Sequence, residues 1–266
     1  MLTFRDLVTA FRQLRINSEQ PVIAHASLSA FGQVKGGAET VVGALLASFP
    51  AVIMPTFTYK TMIVPEAGPA NNGLDYGSGR DVNRLAEFFR PNMSADRLMG
   101  EVAECLRQHP DAFRSTHPIL SFAGVGAEKA LRAQSLADPL APVAALHAAK
   151  GWVLLLGVDH TVNTSIHYAE RLAGRKQFVR WALTPYGVKE CSSFPGCSDG
   201  FRAMEPDLRT FTRSLYAGQA RVQAIPLREM VTAVQERLRE DPLALLCERP
   251  GCERCEAVRE AVREHV

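Results

Sequence analysis

The sequence lacks a long hydrophobic run, a strong excess of charge of either sign, and internal repeats. No apolar stretch reaches the roughly 18 residues that indicate a membrane-spanning helix. Thirty basic and 28 acidic side chains give a formal net charge of +2, which offers no electrostatic footprint for nucleic acid or an anionic membrane. Residues 1–14 place charged and apolar side chains at helical spacing and therefore predict an amphipathic helix, not a secretory signal. We expect a cytoplasmic protein with reduced thiols that acts on neither nucleic acid nor membrane.

What is present is the composition of an ordinary globular protein. The chain has 266 residues, of which 47% are hydrophobic and 22% charged, so it can bury a sizeable core. We expect one domain over residues 1–266, within which residues 190–266 form a subregion stabilised by zinc.

Strand-like runs alternate with helical spacing along the first two thirds of the chain. β-type runs occur at 21–27, 51–57, 119–126 and 152–158, and helical spacing follows them at 37–48, 98–108, 128–134 and 143–149. This alternation predicts an α/β fold with a mixed central sheet flanked by helices. Residues 60–97 contain prolines, glycines and paired asparagines without periodicity, which predicts a long substrate loop. Residues 233–246 read as a further helix before a cysteine-rich C-terminal tail.

His167 and Glu170 stand three positions apart, one short polar loop beyond the apolar run at 152–158. Three positions are close to one helical turn, so both side chains lie on the same helix face and can form a hydrogen bond. A histidine held by a carboxylate is a good general base near neutral pH, because the acid fixes its tautomer and stabilises the imidazolium. Open α/β sheets bind ligands at such strand ends. The spacing therefore predicts a catalytic pair, with an inert surface pair as the alternative.

Five blocks, in a fixed order, carry a family resemblance: VIAHASLSAFGQVKGGAETVVGAL at 22–45, MPTF at 54–57, MGEVAECLR at 99–107, RSTHPILSFAGVG at 114–126 and LLLGVDHTVNTSIHYAE at 154–170. In these blocks the chain resembles the aminoglycoside 3-N-acetyltransferases, acetyl-CoA-dependent enzymes unrelated in fold to the GNAT acetyltransferases. The resemblance implies transfer of an acetyl group from acetyl-CoA to the 3-amino group of a 2-deoxystreptamine ring.

The resemblance also implies roles for single residues. The family motif ending in H-x-A-E matches His167 and Glu170 rather than His160, and Thr164 is expected to donate to the thioester carbonyl. Capping of the helix by Thr164, Ser165 or Asn163 is the alternative for that hydroxyl. The expected residues of the acceptor pocket are Asp75, His117, Asp159 and His160.

The coenzyme site is expected in the N-terminal half. A helix that begins after Gly36 and Gly37 presents free N–H groups and a positive dipole end, which suit a pyrophosphate, although a strand-to-helix turn without ligand gives the same pattern. With the resemblance, the expected coenzyme contacts are His25, Ser27, Leu28, Ser29, Val34, Lys35, Gly36, Gly37, Ser121 and Phe122.

The acceptor is where the chain departs from the family it resembles. Aminoglycosides are polycations, so their pockets need several carboxylates. The candidates here alternate with Lys60, Arg80 and Arg84, and the glycine-rich segment expected before Leu146 reads ADPLAPVAAL. An acyltransferase for a non-antibiotic primary amine is therefore the alternative. The acidic candidates are Asp75, Asp81, Asp159, Glu170, Asp199 and Glu205.

Three of the six cysteines form C-x4-C-x2-C near the end of the chain. Together with Cys197 as the preferred fourth ligand, Cys247, Cys252 and Cys255 match a tetrahedral zinc site. Four thiolates leave no open position for water, so the expected role is structural. The alternatives are unpaired thiols and, more remotely, a zinc-stabilised binding protein without catalysis.

Overall fold

Two β-sheets and the helices around them make up residues 1–264, the part of the chain that this computed structural model describes. The helices are α1 (Phe4–Gln13), α2 (Gly37–Ser48), α3 (Arg80–Arg84), α4 (Gly100–Gln108), α5 (Glu128–Arg132), α6 (Ala141–Ala148), α7 (Thr164–Leu172), α8 (Glu205–Leu208), α9 (Leu227–Glu240) and α10 (Glu253–Glu264). The strands are β1 (Val22–Ala26), β2 (Val52–Pro55), β3 (Met62–Ile63), β4 (Phe113–Arg114), β5 (Phe122–Val125), β6 (Trp152–Leu156), β7 (Phe178–Thr184), β8 (Gly187–Phe194), β9 (Arg213–Ala217) and β10 (Ala220–Pro226).

The larger sheet has the strand order β4-β5-β2-β1-β6-β10-β9. Its centre is parallel, because β1 pairs in parallel with both β2 and β6, and the outer strands pair antiparallel. Every residue of β1 and β6 is buried, as expected for central strands covered on both faces. One face packs against α1, α2 and α4, and the other against α6, α7 and α9. The predicted mixed sheet flanked by helices is confirmed.

A smaller sheet of order β3-β7-β8 was not predicted from the sequence pattern. Its strand β7 contains Arg180, which is buried and donates to the carbonyl oxygens of Asn72 at 3.0 Å and Gly73 at 3.2 Å. Burial lowers the pKa of Arg180 to about 10, which leaves it charged at neutral pH. Arg180 thus ties the long loop at 60–97, which includes β3 and α3, to this second sheet.

The helix predicted over residues 233–246 is wrong at both ends. Helix α9 begins at Leu227 and ends at Glu240, because Pro242 disfavours a helical conformation at Asp241. Asp241 is extended, and its side chain accepts a hydrogen bond from the Leu243 N–H at 2.9 Å. The segment that follows is therefore a turn that leads to Cys247.

A search of residues 1–264 for a helix with the length and apolar character needed to cross a membrane finds none.

Candidate active site

The loops after β1 and β6 leave the same edge of the sheet, because the two strands are parallel and end in register at Ala26 and Leu156. Gly157 allows the loop after β6 to pass close to its neighbour: its φ is +69°, and a Cβ there would lie 2.3 Å from the Cβ of Ala30. These loops border a cleft of about 370 Å³, whose lining includes His25, Thr164 and His167.

His167 and Glu170 form a hydrogen-bonded pair on α7. The distance from His167 Nδ1 to Glu170 Oε2 is 2.8 Å, and both residues are buried. A carboxylate only accepts, so Nδ1 carries the proton and Nε2 keeps its lone pair. Because His167 also lines the cleft, the pair has the arrangement that a general base requires.

Two further contacts hold this pair in place. The ring of Phe201, from a short 3₁₀ helix, packs against the imidazole with a centroid distance of 4.6 Å. The second oxygen of Glu170 accepts from Arg175 Nη1 at 3.0 Å. The imidazole and the carboxylate are therefore fixed from both sides.

Asn163 is the residue that caps α7. Its side-chain oxygen accepts from the Ser165 N–H at 3.2 Å, so the capping role considered for Thr164 or Ser165 falls to Asn163. Thr164 is the first residue of the helix and lines the cleft. Its hydroxyl remains the predicted donor to the thioester.

His25 brings a neutral imidazole to the cleft. Burial lowers the pKa of His25 to about 3, and the nearby His160 acts in the same direction. Its Nε2 is buried and has no hydrogen-bond partner within residues 1–264, so it is available to a ligand. Ser27 and Ser29 lie just beyond, with their hydroxyl oxygens 3.1 Å apart, and Leu28 begins the 3₁₀ helix that includes Ser29.

The other expected coenzyme contacts do not line the cleft. Ser121 and Phe122 are fully buried: the Ser121 hydroxyl donates to the Thr56 carbonyl at 2.9 Å, and Phe122 belongs to the core. Neither presents surface to a ligand. Four others form the start of α2, where Gly36 adopts a φ of +81° and Gly37 one of +57°. These four are Val34, Lys35, Gly36 and Gly37.

The residues expected to bind the acceptor also lie outside the cleft lining. Asp159 accepts from the Thr161 N–H at 2.9 Å and pairs with Arg202, and together with His160 it borders a neighbouring depression. Asp75 faces another depression beside α10, and His117 lines a third. The structure does not bring these four residues together.

His117 has a clear structural role. Its Nδ1 accepts from the Ile119 and Leu120 N–H groups at 3.1 and 2.9 Å, which shapes the turn before β5. Burial lowers the pKa of His117 to about 4.

This pKa predicts a loss of stability in acid. An unfolded histidine titrates near 6.5, so between about pH 6.5 and 4 the unfolded chain binds more protons than the native one, and the free energy of unfolding falls with pH. We expect His117 to account for about 2 kcal/mol of the loss between pH 7 and 5. In His117→Asn, whose side-chain oxygen can accept the same N–H groups, that share should be missing. Urea unfolding of both proteins at the two pH values measures it, and equal pH dependence would contradict the prediction.

The opposite wall of the cleft carries few charges. Within residues 1–264 its lining holds one carboxylate, that of Asp199, and one guanidinium, that of Arg254. Asp199 is 3.4 Å from Arg249 Nη1, and Arg254 donates to the Gly196 carbonyl at 2.8 Å. The other proposed acids Asp81 and Glu205 pair with Arg84 and Arg221. No sequence pattern indicated that Arg254 would face the cleft.

Four cysteines meet behind this wall. The Sγ atoms of Cys197, Cys247, Cys252 and Cys255 all lie within 4.8 Å of one another, and all four residues are buried. Thiolates about 2.3 Å from a tetrahedral zinc are roughly 3.8 Å apart, so the donor set fits this metal. A hydrogen bond from the Cys255 thiol lowers the pKa of Cys197 to about 5, which favours the thiolate form. The sequence prediction named these four residues, and the fold brings them together.

Comparison with known proteins points to one family. A family model described as aminoglycoside 3-N-acetyltransferase matches residues 23–239. Aminoglycoside N(3)-acetyltransferase VII of Streptomyces paromomycinus is 36% identical over 187 residues, which are 66% of this chain and 62% of that protein. Aminoglycoside N(3)-acetyltransferase IX of Micromonospora chalcea is 37% identical over 173 residues, 60% of this chain and 59% of that one. The match thus spans about three fifths of these relatives' length.

The fold agrees over nearly the whole chain. The apoenzyme structure of aminoglycoside acetyltransferase AAC(3)-IVa superposes with a TM-score of 0.78 at 26% identity and covers 98% of both chains. The family model, these relatives and this fold agree with the resemblance seen in the five sequence blocks. The chain belongs to the aminoglycoside 3-N-acetyltransferase family.

Proposed function

We propose that the protein transfers the acetyl group of acetyl-CoA to a primary amine of an aminoglycoside, the 3-amino group of its 2-deoxystreptamine ring. The observation that carries this proposal is the His167–Glu170 pair, buried, hydrogen-bonded and open to the cleft through Nε2. Family membership supports the acceptor. AAC(3)-IVa, 25% identical in its mutant form, has been solved in complex with a gentamicin, and the fold also occurs in AAC-IIIb with CoASH bound.

Deprotonation of the amine is the task of His167. Amines near pH 7 are largely ammonium ions, which are not nucleophiles. Nε2 accepts the proton as the amine nitrogen attacks the thioester carbonyl carbon, and Glu170 stabilises the imidazolium that forms. When the carbon–sulfur bond breaks, the thiolate of coenzyme A leaves and takes up a proton. Such a base supplies roughly 10²- to 10⁴-fold in rate.

Two donors are available for the oxyanion of the tetrahedral intermediate. The neutral imidazole of His25 has an unpartnered Nε2 in the cleft, and Thr164 places a hydroxyl at its lining. Donors that are fixed before the reaction stabilise developing negative charge. Within residues 1–264, the side-chain hydrogen bond of His167 goes to Glu170 and not to a hydroxyl or thiol. This favours direct attack in a ternary complex over an acyl-enzyme intermediate.

The proposal is tested by following release of the coenzyme A thiol over a panel of amines. We expect turnover that requires both acetyl-CoA and an amine, with the product acetylated on the 3-amino group as read by NMR. A panel of aminoglycosides with and without a free 3-amino group provides the matched control. Absence of coenzyme A release with every amine would refute the enzymatic function.

A specific observation favours a second acceptor class, a non-antibiotic primary amine. The cleft lining pairs one carboxylate with the guanidinium of Arg254, whereas a polycation is best held by several carboxylates. An amine that also carries an anionic group would suit this charge balance better. If only such amines in the panel are acetylated, and gentamicin is not, this second function replaces the first.

The donor set of the cysteine cluster supports a structural zinc ion. We propose that Cys197, Cys247, Cys252 and Cys255 bind it as thiolates and thereby hold residues 190–266, within a single domain, against the rest of the fold. Because the four donors fill a tetrahedral shell, no step of the reaction is assigned to the metal.

A further inference from the structure

We propose that Arg175 is a positioning residue for the catalytic base: it orients Glu170, lowers the basicity of His167 and ties both to the segment that leads into the cysteine cluster. The inference rests on the proposed function for its kinetic consequence. Its physical content, an effect on the titration of His167, can be measured without any acceptor.

Arg175 divides its guanidinium between two parts of the fold. Nη1 donates to Glu170 Oε1 at 3.0 Å, while Nη2 donates to the carbonyl oxygens of Pro242 at 2.7 Å and Ala244 at 2.8 Å. Its backbone N–H also donates to the Glu170 carbonyl at 3.0 Å. The residue therefore closes the end of α7 onto the segment after α9.

The Arg175–Glu170 ion pair is almost completely buried, with side-chain exposures of 5% and 3%. Burial lowers the pKa of Arg175, and the charge of Glu170 opposes that effect. Removal of one member of such a pair leaves the other charge without compensation in a poorly solvated place. The position of Glu170 is thus strongly dependent on Arg175.

Glu170 has one oxygen for each partner. Oε1 accepts from Arg175, and Oε2 lies 2.8 Å from His167 Nδ1. With both oxygens engaged, the carboxylate cannot rotate away, and the imidazole keeps the tautomer in which Nε2 is basic. The same arrangement shares the negative charge of Glu170 between two cations when His167 is protonated.

The sign of the electrostatic effect follows from this sharing. The positive charge of Arg175 reduces the stabilisation that Glu170 gives to an imidazolium, so loss of that charge should raise the pKa of His167. Phe201 and the apolar residues of α9 that pack on α7 contribute no charge at this point. The charged or titratable groups around His167 are Glu170 and Arg171 on α7, His25 on β1, Tyr59, Asp199 and Arg254 on the cleft lining, Asp159 and His160 on the preceding loop, and Arg202 beside Phe201.

The other arm of Arg175 reaches the tail. Ala244 lies three residues before Cys247, and Leu245 between them adopts a φ of +67°, which is uncommon for a residue other than glycine. The two hydrogen bonds from Nη2 thus secure a constrained turn at the entrance to the cysteine cluster. In this way the position of the tail is linked mechanically to the base.

The test compares Arg175→Met with Arg175→Lys and with Arg171→Met. Arg171 lies on the same helix but pairs with Asp138, so its replacement is the matched control for loss of a charge. The titration of His167 is followed by NMR of histidine-labelled protein, and its signal is assigned by its absence in His167→Ala. The pH profile of kcat/KM is recorded with the best acceptor.

In Arg175→Met we expect the pKa of His167 to rise by about one unit and the acid limb of the kcat/KM profile to move to higher pH by the same amount. Arg175→Lys, which keeps the charge, should stay close to the wild type, as should Arg171→Met. If Arg175→Met is too unstable to study, Arg175→Gln, which retains a donor but no charge, is expected to show the same rise.

The outcomes separate this inference from the proposed function. A destabilised Arg175 variant with an unmoved His167 titration would make Arg175 merely structural and overturn the inference. A wild-type protein without turnover would overturn the proposed function, while the NMR titration would still decide the role of Arg175.

Discussion

His167→Ala is expected to lower kcat by roughly 10²- to 10⁴-fold while the affinity for coenzyme A changes little. The reason is that Nε2 is the group in the cleft with a free lone pair and a carboxylate behind it, at 2.8 Å from Nδ1. Without it, the amine must lose its proton to water. Steady-state kinetics with acetyl-CoA and the best acceptor, together with calorimetric titration of coenzyme A, measure the two quantities.

Two further variants sharpen this result. Glu170→Gln keeps an oxygen that can accept from Nδ1 but removes the charge that stabilises the imidazolium, so we expect a smaller loss in kcat than for His167→Ala. His109→Ala removes a histidine outside the cleft lining and should leave kcat unchanged. A parallel fall in coenzyme A affinity and kcat in His167→Ala would show that His167 supports the cleft rather than the proton transfer.

The base pair could be predicted from the sequence because its geometry is local. Both residues lie on one helix, and a spacing of three positions is sufficient to place them in contact. Arg175 is only five positions beyond Glu170, yet its role could not be predicted, because it depends on carbonyl groups of Pro242 and Ala244. These come from a segment that the sequence pattern assigned to a helix.

The acceptor site was harder to predict for a related reason. Asp159 was a reasonable acidic ligand for a polycation, but it forms an ion pair with Arg202, 43 positions away. The charge of an exposed carboxylate is available to a ligand only if no neighbour neutralises it, and a sequence does not show which neighbours the fold supplies. Arg254 reached the cleft in the same unforeseen way, through the chain reversal at the cysteine cluster.

Cys252→Ser is expected to abolish stoichiometric zinc binding and to lower Tm by about 10 °C. A bound ligand at about a thousand times its dissociation constant stabilises the native state by about 4 kcal/mol, and about 1 kcal/mol corresponds to about 2–4 °C for a chain of this size. The wild type should contain about one zinc per chain, because four thiolates complete one tetrahedral shell. Elemental analysis and calorimetry measure both quantities.

Cys105→Ser is the matched control, because Cys105 is a half-buried thiol outside the cluster. It should keep both its zinc and its Tm. Zinc-free wild-type protein that is as stable as the zinc-loaded form would contradict the metal site and leave the four cysteines as packed thiols.

Loss of the metal should also affect substrate binding, because the cluster forms the back of the cleft wall. Gly196 and Ser198 flank Cys197, and Arg254 precedes Cys255, and all three flanking residues line the cleft. We therefore expect a zinc-depleted protein that remains folded to show a raised KM for the acceptor. Substitution of cadmium, which also accepts four thiolates, should restore KM without a change in kcat. A catalytic zinc requires an open coordination position and would make kcat depend on the metal, so this comparison separates a structural metal from a reactive one.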